Sequence, residues 1–261
     1  NEGDGVETND SMARAVKYET PLPDASIGVL CASADVQADR IEVLVNGYSN
    51  SQTWVVGFQI FYGSPTSESL WNEVEEYLKT TWEHPSGQDL RITRSFIDSG
   101  YETGAVYNFC RKLESLGVRA IKGVGGSNRA EIGRPTKNNT SRCNVFPLGV
   151  NTLKTQILAR LKIDDPKDSG FINFPDFLDE EFFLQLTSER LIKRYVKGIP
   201  RMEFKQMRPR NEALDLMVYN LAAFRSLNAN MSVIQKKLED IRKVTPKKRP
   251  QTRAKNWATN W

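Results

Sequence analysis

The stretch "RITRSFIDSGYETGAVYNFCRKLESLGVRAIKG", residues 91–123, decides the fold. "RITRSFID" has the β-branched and aromatic content of a strand. The period then changes: Val106, Phe109, Cys110, Leu113 and Leu116 form a helical stripe, with Thr103 placed as N-cap and Gly117 as the stop. "VRAIKG" returns to a strand. Strand, helix and strand joined by short loops make a βαβ unit, so the two strands lie parallel. Ligand sites in α/β sheets open beyond the carboxyl ends of parallel strands. Asp98 stands at such an end.

Upstream, "VLCASADVQADRIEVLVNG" (29–47) reads as two apolar strands joined by a polar turn, and "TWVVGFQIFYG" as a third. Short polar connections between β-rich runs predict an antiparallel meander. "SESLWNEVEEYLKTTW" follows as an amphipathic helix through Leu70, Trp71, Val74, Tyr77 and Leu78. The expected fold class is therefore α/β, a mixed sheet with a three-strand antiparallel meander plus parallel βαβ strands, flanked by helices. Asp35 closes the first meander strand. If that strand lies beside the βαβ unit, Asp35 and Asp98 meet at one edge.

Downstream, residues 123–144 are rich in Gly, Asn, Ser and Arg and read as a long mobile loop or weak hairpin. A helix "NTLKTQILARL", a short strand "GFINFP", a helix "EEFFLQLTSER" and a hairpin-like pair around "KGIP" come next. The last predicted element is a helix from about residue 211 to 227. It is apolar on most faces and therefore buried, yet it carries Asp215, and a buried carboxylate must be paired or bound to a metal. Asn211 and Glu212 lie one turn earlier on the same face. Each aspartate alone has a bland reading as a turn, cap or dipole residue. Three together suit a hard divalent cation, Mg²⁺ or Mn²⁺ rather than zinc, since clustered carboxylates repel one another unless a cation lies between them. Two such ions about 4 Å apart clamp a phosphodiester and activate water without a histidine.

The composition excludes other chemistries. His84 is the single histidine, and "WEHPSGQ" reads as a solvent-exposed turn. A Ser-His-Asp hydrolase, a histidine-rich zinc site and an HNH-type nuclease are thereby disfavoured. The three cysteines, Cys31, Cys110 and Cys143, form no CxxC pair, which supports neither a disulfide framework nor a zinc ribbon. No apolar run reaches membrane length, so no membrane partner is expected. The 261 residues carry a net charge of +4, but residues 229–261 hold nine Lys or Arg against two acids, leaving the remainder at about −3. Residues 1–20 read as a linker or frayed arm, 21–228 as the folded domain, and 229–261 as a basic C-terminal tail.

The order of elements resembles the ribonuclease H-like fold. More closely, "ADVQADRIEVLVNGY", "FIDSGYETGAVYNFC", "AIKGVGG", "FPLGVNTLKTQI", "FFLQLTSE" and "NEALDLMVYNLAA" are similar to the nuclease domain of phage terminase large subunits of the lambda packaging-protein A type. That resemblance implies a metal-dependent endonuclease that cuts concatemeric double-stranded viral DNA during packaging in the host cytoplasm. It places the acid ligands on Asp35, Asp98 and Asp215, with Glu212 and Asn211 as auxiliaries. It implies an ATPase motor domain as neighbour, although no GxxxxGK[ST] is present here. A terminase small subunit and the portal of the procapsid are the implied protein partners. Phe204 stands where the family pattern has a tryptophan.

The charge pattern suggests how DNA is reached. Lys122, Arg129, Arg134, Lys137 and Arg142 are candidate phosphate contacts beside Asp98. The basic tail ends in Trp257 and Trp261, which favour a protein interface such as the portal. Two competing readings are a non-catalytic module of the same fold that docks the packaging motor on the portal, and a resolvase or transposase. The three acids disfavour the first, and the terminase-like order of motifs disfavours the second.

Overall fold

Strand β2 (Val29–Val36) is buried along its whole length because helices cover both faces of its sheet. Its side chains divide by alternation: Cys31 enters one apolar cluster, and Leu30, Ala32 and Ala34 enter the other, as the two-residue strand period requires. β3 (Arg40–Tyr48) and β4 (Thr53–Tyr62) complete the antiparallel meander. The computed structural model describes residues 4–126 and 129–244.

On its other side β2 pairs in parallel with β6 (Asp89–Asp98), and β6 pairs in parallel with β7 (Val118–Val124). Helix α3 (Thr103–Lys112) makes the crossover. Adding β1 (Ala15–Val16), β5 (Thr81–Glu83), β8 (Thr136–Lys137), β9 (Asn144–Gly149) and β10 (Ile172–Pro175), the sheet runs β1-β10-β4-β3-β2-β6-β7-β9-β8, with β5 on β6. Helices α2 (Glu68–Leu78) and α3 pack on one face. Helices α4 (Val150–Leu161), α5 (Glu180–Leu186) and α6 (Glu212–Ser226) pack on the other. This is the mixed sheet expected from the sequence, a three-strand antiparallel meander continued by parallel βαβ strands and flanked by helices.

A second, two-stranded sheet stands apart. β11 (Glu189–Val196) and β12 (Ile199–Gln206) form a hairpin closed by Lys197 and Gly198, with φ of 52° and 77°. Two consecutive positive φ values define the tight turn whose twist matches paired strands.

Several expectations need correction. Residues 4–16 are docked rather than frayed. Val6 is buried, Asp4 bridges to Leu191, Thr8–Met12 forms α1, and β1 extends the sheet. Ion pairs from Asp4 to Lys162 and from Glu7 to Arg190 offset the arm's charge. Residues 129–143 take the weak-hairpin alternative rather than the mobile loop: β8 pairs antiparallel with β9, Ile132 bridges to Leu148, and Gly133 N–H donates to the Pro147 carbonyl at 2.7 Å. Thr103 is the first helical residue and Glu102 holds the cap position. Leu116 is 46% exposed because α3 ends at Lys112 and gives way to a tighter turn.

His84 occupies a turn but is only 2% exposed, its Nδ1 accepting from Ser86 N–H at 3.0 Å. It lies at the start of the ten-residue β6, the far end from Asp98. The first part of the basic tail is helix α7 (Met231–Val244), which buries Met231 and Leu238. Trp257 and Trp261 lie outside the described residues. Among the described residues no helix is long and apolar enough to cross a membrane.

Candidate active site

Asp35 and Asp98 come together because their strands are parallel neighbours. The ladder pairs Ala34 with Ile97, and each aspartate is the next residue on its strand. Asp35 is 7% exposed, and its Oδ2 accepts from Gln37 Nε2 at 2.7 Å. Burial pushes its carboxyl up to about 7. The Gln37 hydrogen bond opposes that rise, and the charges of Asp98, Asp215 and Glu42 add to it. Burial likewise raises Asp98, against a hydrogen bond from Gly100 N–H at 3.1 Å and with a further contribution from Asp215.

Asp215 arrives from the other layer. Its helix, α6, lies across β2 and β6 and is pinned there by buried polar contacts. Ser33 Oγ donates to the Leu216 carbonyl at 2.7 Å, and Asn220 Nδ2 donates to the carbonyls of Cys31 and Leu44, both at 3.1 Å. Asp215 is raised by burial, opposed by Lys154, and raised further by Glu189 and Glu212. One turn on, the buried Tyr219 phenol is raised by burial and by the charges of Asp215, Asp98 and Asp35. All three predicted aspartates therefore share one rim of the sheet and feel one another's charge.

Two residues of this site escaped the sequence reading. Lys154, on α4, is buried with its Nζ 2.7 Å from Glu189 Oε1 and 3.1 Å from Asp215 Oδ1. Burial alone would lower its ammonium, but Asp215 and Glu189 outweigh that and raise it. A signal existed: Lys154 falls in register with Ile157, Leu158 and Leu161 on the apolar face of its helix, where a cation must find an anion. Glu189 carried no such signal.

The auxiliary expectations separate. Asn211 Nδ2 donates to Asp215 Oδ2 at 3.0 Å and to Glu189 Oε1 at 2.9 Å, holding both acids. Glu212 turns instead to arginines, accepting from Arg40 at 2.9 Å and Arg210 at 3.3 Å. The same arginines bind the buried Glu42, which faces Asp35 across the β2–β3 ladder. Of the basic candidates, Lys122 lies near enough to Asp98 to oppose its rise. Lys122 and Lys137 also border a hollow of about 480 Å³ at the sheet edge. Arg129, Arg134 and Arg142 are exposed beyond it.

The oxygen-rich donor set matches a hard divalent cation in chemistry. Its spacing is looser: among the described residues no three His, Cys, Asp or Glu side chains are gathered tightly enough to hold an ion. Asp215 is engaged by Lys154 instead.

The chain is similar to several known proteins. The family model described as terminase large subunit gpA, endonuclease domain, matches residues 1–237. The chain is 31% identical over 220 residues to the terminase large subunit of Escherichia phage lambda, covering 81% of this chain and 34% of that protein. It is 31% identical over 225 residues to the terminase large subunit of Enterobacteria phage P21, covering 82% and 35%. The chain thus spans about a third of the length of these relatives. Among solved structures, the Mn-soaked human cytomegalovirus terminase nuclease domain aligns with a TM-score of 0.46 at 12% identity, covering 88% of this chain and 98% of that one.

Proposed function

The chain belongs to the terminase large subunit gpA endonuclease-domain family, and on that premise we propose that it hydrolyses phosphodiesters of concatemeric double-stranded viral DNA during genome packaging in the host cytoplasm. The observation that carries this reading is the convergence of Asp35, Asp98 and Asp215 from β2, β6 and α6, with each carboxyl raised by burial and by the charge of neighbouring carboxylates. Such a set favours divalent cations as partners, and we assign it two ions, Mg²⁺ or Mn²⁺. When bound, they supply an activated water and neutralise charge on the leaving oxygen.

The protein's own share is orientation. Asp35 and Asp98 sit on adjacent strands of a packed sheet and form a rigid pair. Asp215 is steered by Asn211 and by Lys154. Gln37 fixes the Asp35 carboxylate, and Lys122 brings positive charge to the Asp98 side. We read residues 21–228 as the nuclease body, 1–20 as the link to an ATPase motor domain, docked on that body through residues 4–16, and 229–261 as a basic tail for the portal whose first helix packs on the body through Met231 and Leu238. A terminase small subunit would direct the cut.

Plasmid incubated with the purified chain and Mn²⁺ or Mg²⁺ is expected to be nicked and linearised. Asp98→Ala and Asp215→Ala should each lower the rate by about 10²–10³-fold or more, the scale of one lost charge-stabilising group, while circular dichroism stays unchanged. Cleavage that persists in both variants places the chemistry elsewhere.

A further inference from the structure

The β11–β12 ribbon leaves the body at the active site. Its first residue, Glu189, contacts Lys154 at 2.7 Å, and Lys154 contacts Asp215 at 3.1 Å. From there the two eight-residue strands project as their own sheet, reaching about 27 Å at the usual rise per residue. Residues 189–206 hold six Lys or Arg against two acids, whereas the body as a whole is slightly acidic.

The register sorts these charges by face. Arg190 stands opposite Lys205, Ile192 opposite Glu203, and Arg194 opposite Arg201. Strand alternation puts these pairs on one side. The other side carries Leu191, Lys193, Tyr195, Met202 and Phe204. Like charges directly opposite one another destabilise a two-stranded pair, and the first face has two such pairs. Arg190 is partly offset by Glu7 at 3.0 Å and Arg194 by Glu203 at 3.3 Å. Arg194, Arg201 and Lys205 are exposed. A row of cations that repel one another across a ribbon is relieved by a polyanion lying along it.

We infer that the face bearing Arg194, Arg201 and Lys205 holds the phosphate backbone of duplex DNA beside the three aspartates. A reach of about 27 Å runs along roughly eight base-pair steps of duplex, and a two-stranded ribbon also has the width that a major groove admits. Phosphate contacts of this kind fix position and carry little sequence information. The inference rests on the nuclease reading above and adds where the substrate is gripped: on the ribbon.

The test is fluorescence anisotropy of a labelled 30-base-pair duplex with the whole chain in EDTA, which reads binding apart from cleavage. The variant Arg194→Ala/Arg201→Ala/Lys205→Ala is expected to bind about 10-fold more weakly or worse, with the slope of log affinity against log salt reduced by about 2 to 3. Lys193→Ala, on the opposite face, should bind like the wild type. Arg201→Glu alone, a single exposed change, should reproduce much of the loss if the triple variant folds poorly. Wild-type affinity and salt slope in both the triple variant and Arg201→Glu overturn the inference, as does a wild-type chain that does not bind duplex. A chain that binds through the ribbon but leaves plasmid intact with Mn²⁺ removes the nuclease reading and keeps the ribbon. Normal cleavage with an indifferent ribbon does the reverse.

Discussion

Lys154 shows how one residue sets the character of the site. Its ammonium lies between Glu189 and Asp215, and Asn211 bridges the same two carboxylates. A buried cation with two anionic partners is stable only as a unit, because removing one member strands the others in a low-dielectric setting. Lys154→Met should therefore lower unfolding free energy by about 3–5 kcal/mol without added metal. Adding Glu189→Gln should restore part of that loss, since one of the two stranded charges is then gone. Urea unfolding of the wild type, both single variants and the double variant in EDTA measures the coupling. A double variant no more stable than Lys154→Met would show that the lysine is not held by these charges. The aspartates were legible because each breaks a local pattern, a carboxylate at a strand end or inside an apolar helix. Glu189 was not legible, since its partners lie 22 or more positions away.

At the scale of elements, α6 acts as the arm that carries Asp215 to the strand ends. Its position is fixed by Asn220, which is fully buried. The Asn220 amide donates to two strand carbonyls, and its Oδ1 accepts from Tyr48 Oη at 2.8 Å. Asn220→Leu matches the volume but leaves those groups without partners. A loss of about 2–4 kcal/mol is expected, read as a melting midpoint lower by about 5–10 °C in a chain of this size. Cleavage, assayed well below the lower midpoint, should fall as well, because the helix is no longer indexed on β2. A midpoint within 2 °C of the wild type would mean that apolar packing alone places the helix. The meander and the βαβ unit could be read from sequence because their periodicity is local. The docking of residues 4–16 and the burial of His84 could not, because each depends on a partner distant in the chain.

Across the whole molecule, charge and stability are linked through the rim of acids. Folding gathers Asp35, Asp98 and Asp215 where burial raises all three and neighbouring carboxylates add to the rise, so the ionised site opposes the fold that creates it. A ligand that binds only the folded form stabilises it by mass action, by about 2.7 kcal/mol at a concentration 100 times its dissociation constant. Scanning calorimetry of EDTA-stripped chain, with and without saturating Mn²⁺, should show a midpoint higher by about 5–10 °C with the ion. Mg²⁺ should act in the same direction. The shift should vanish in Asp35→Asn/Asp98→Asn, whose metal-free midpoint should lie at or above that of the wild type because repulsion has been removed. A wild-type midpoint indifferent to both ions would leave the three carboxylates without the partner that their burial calls for.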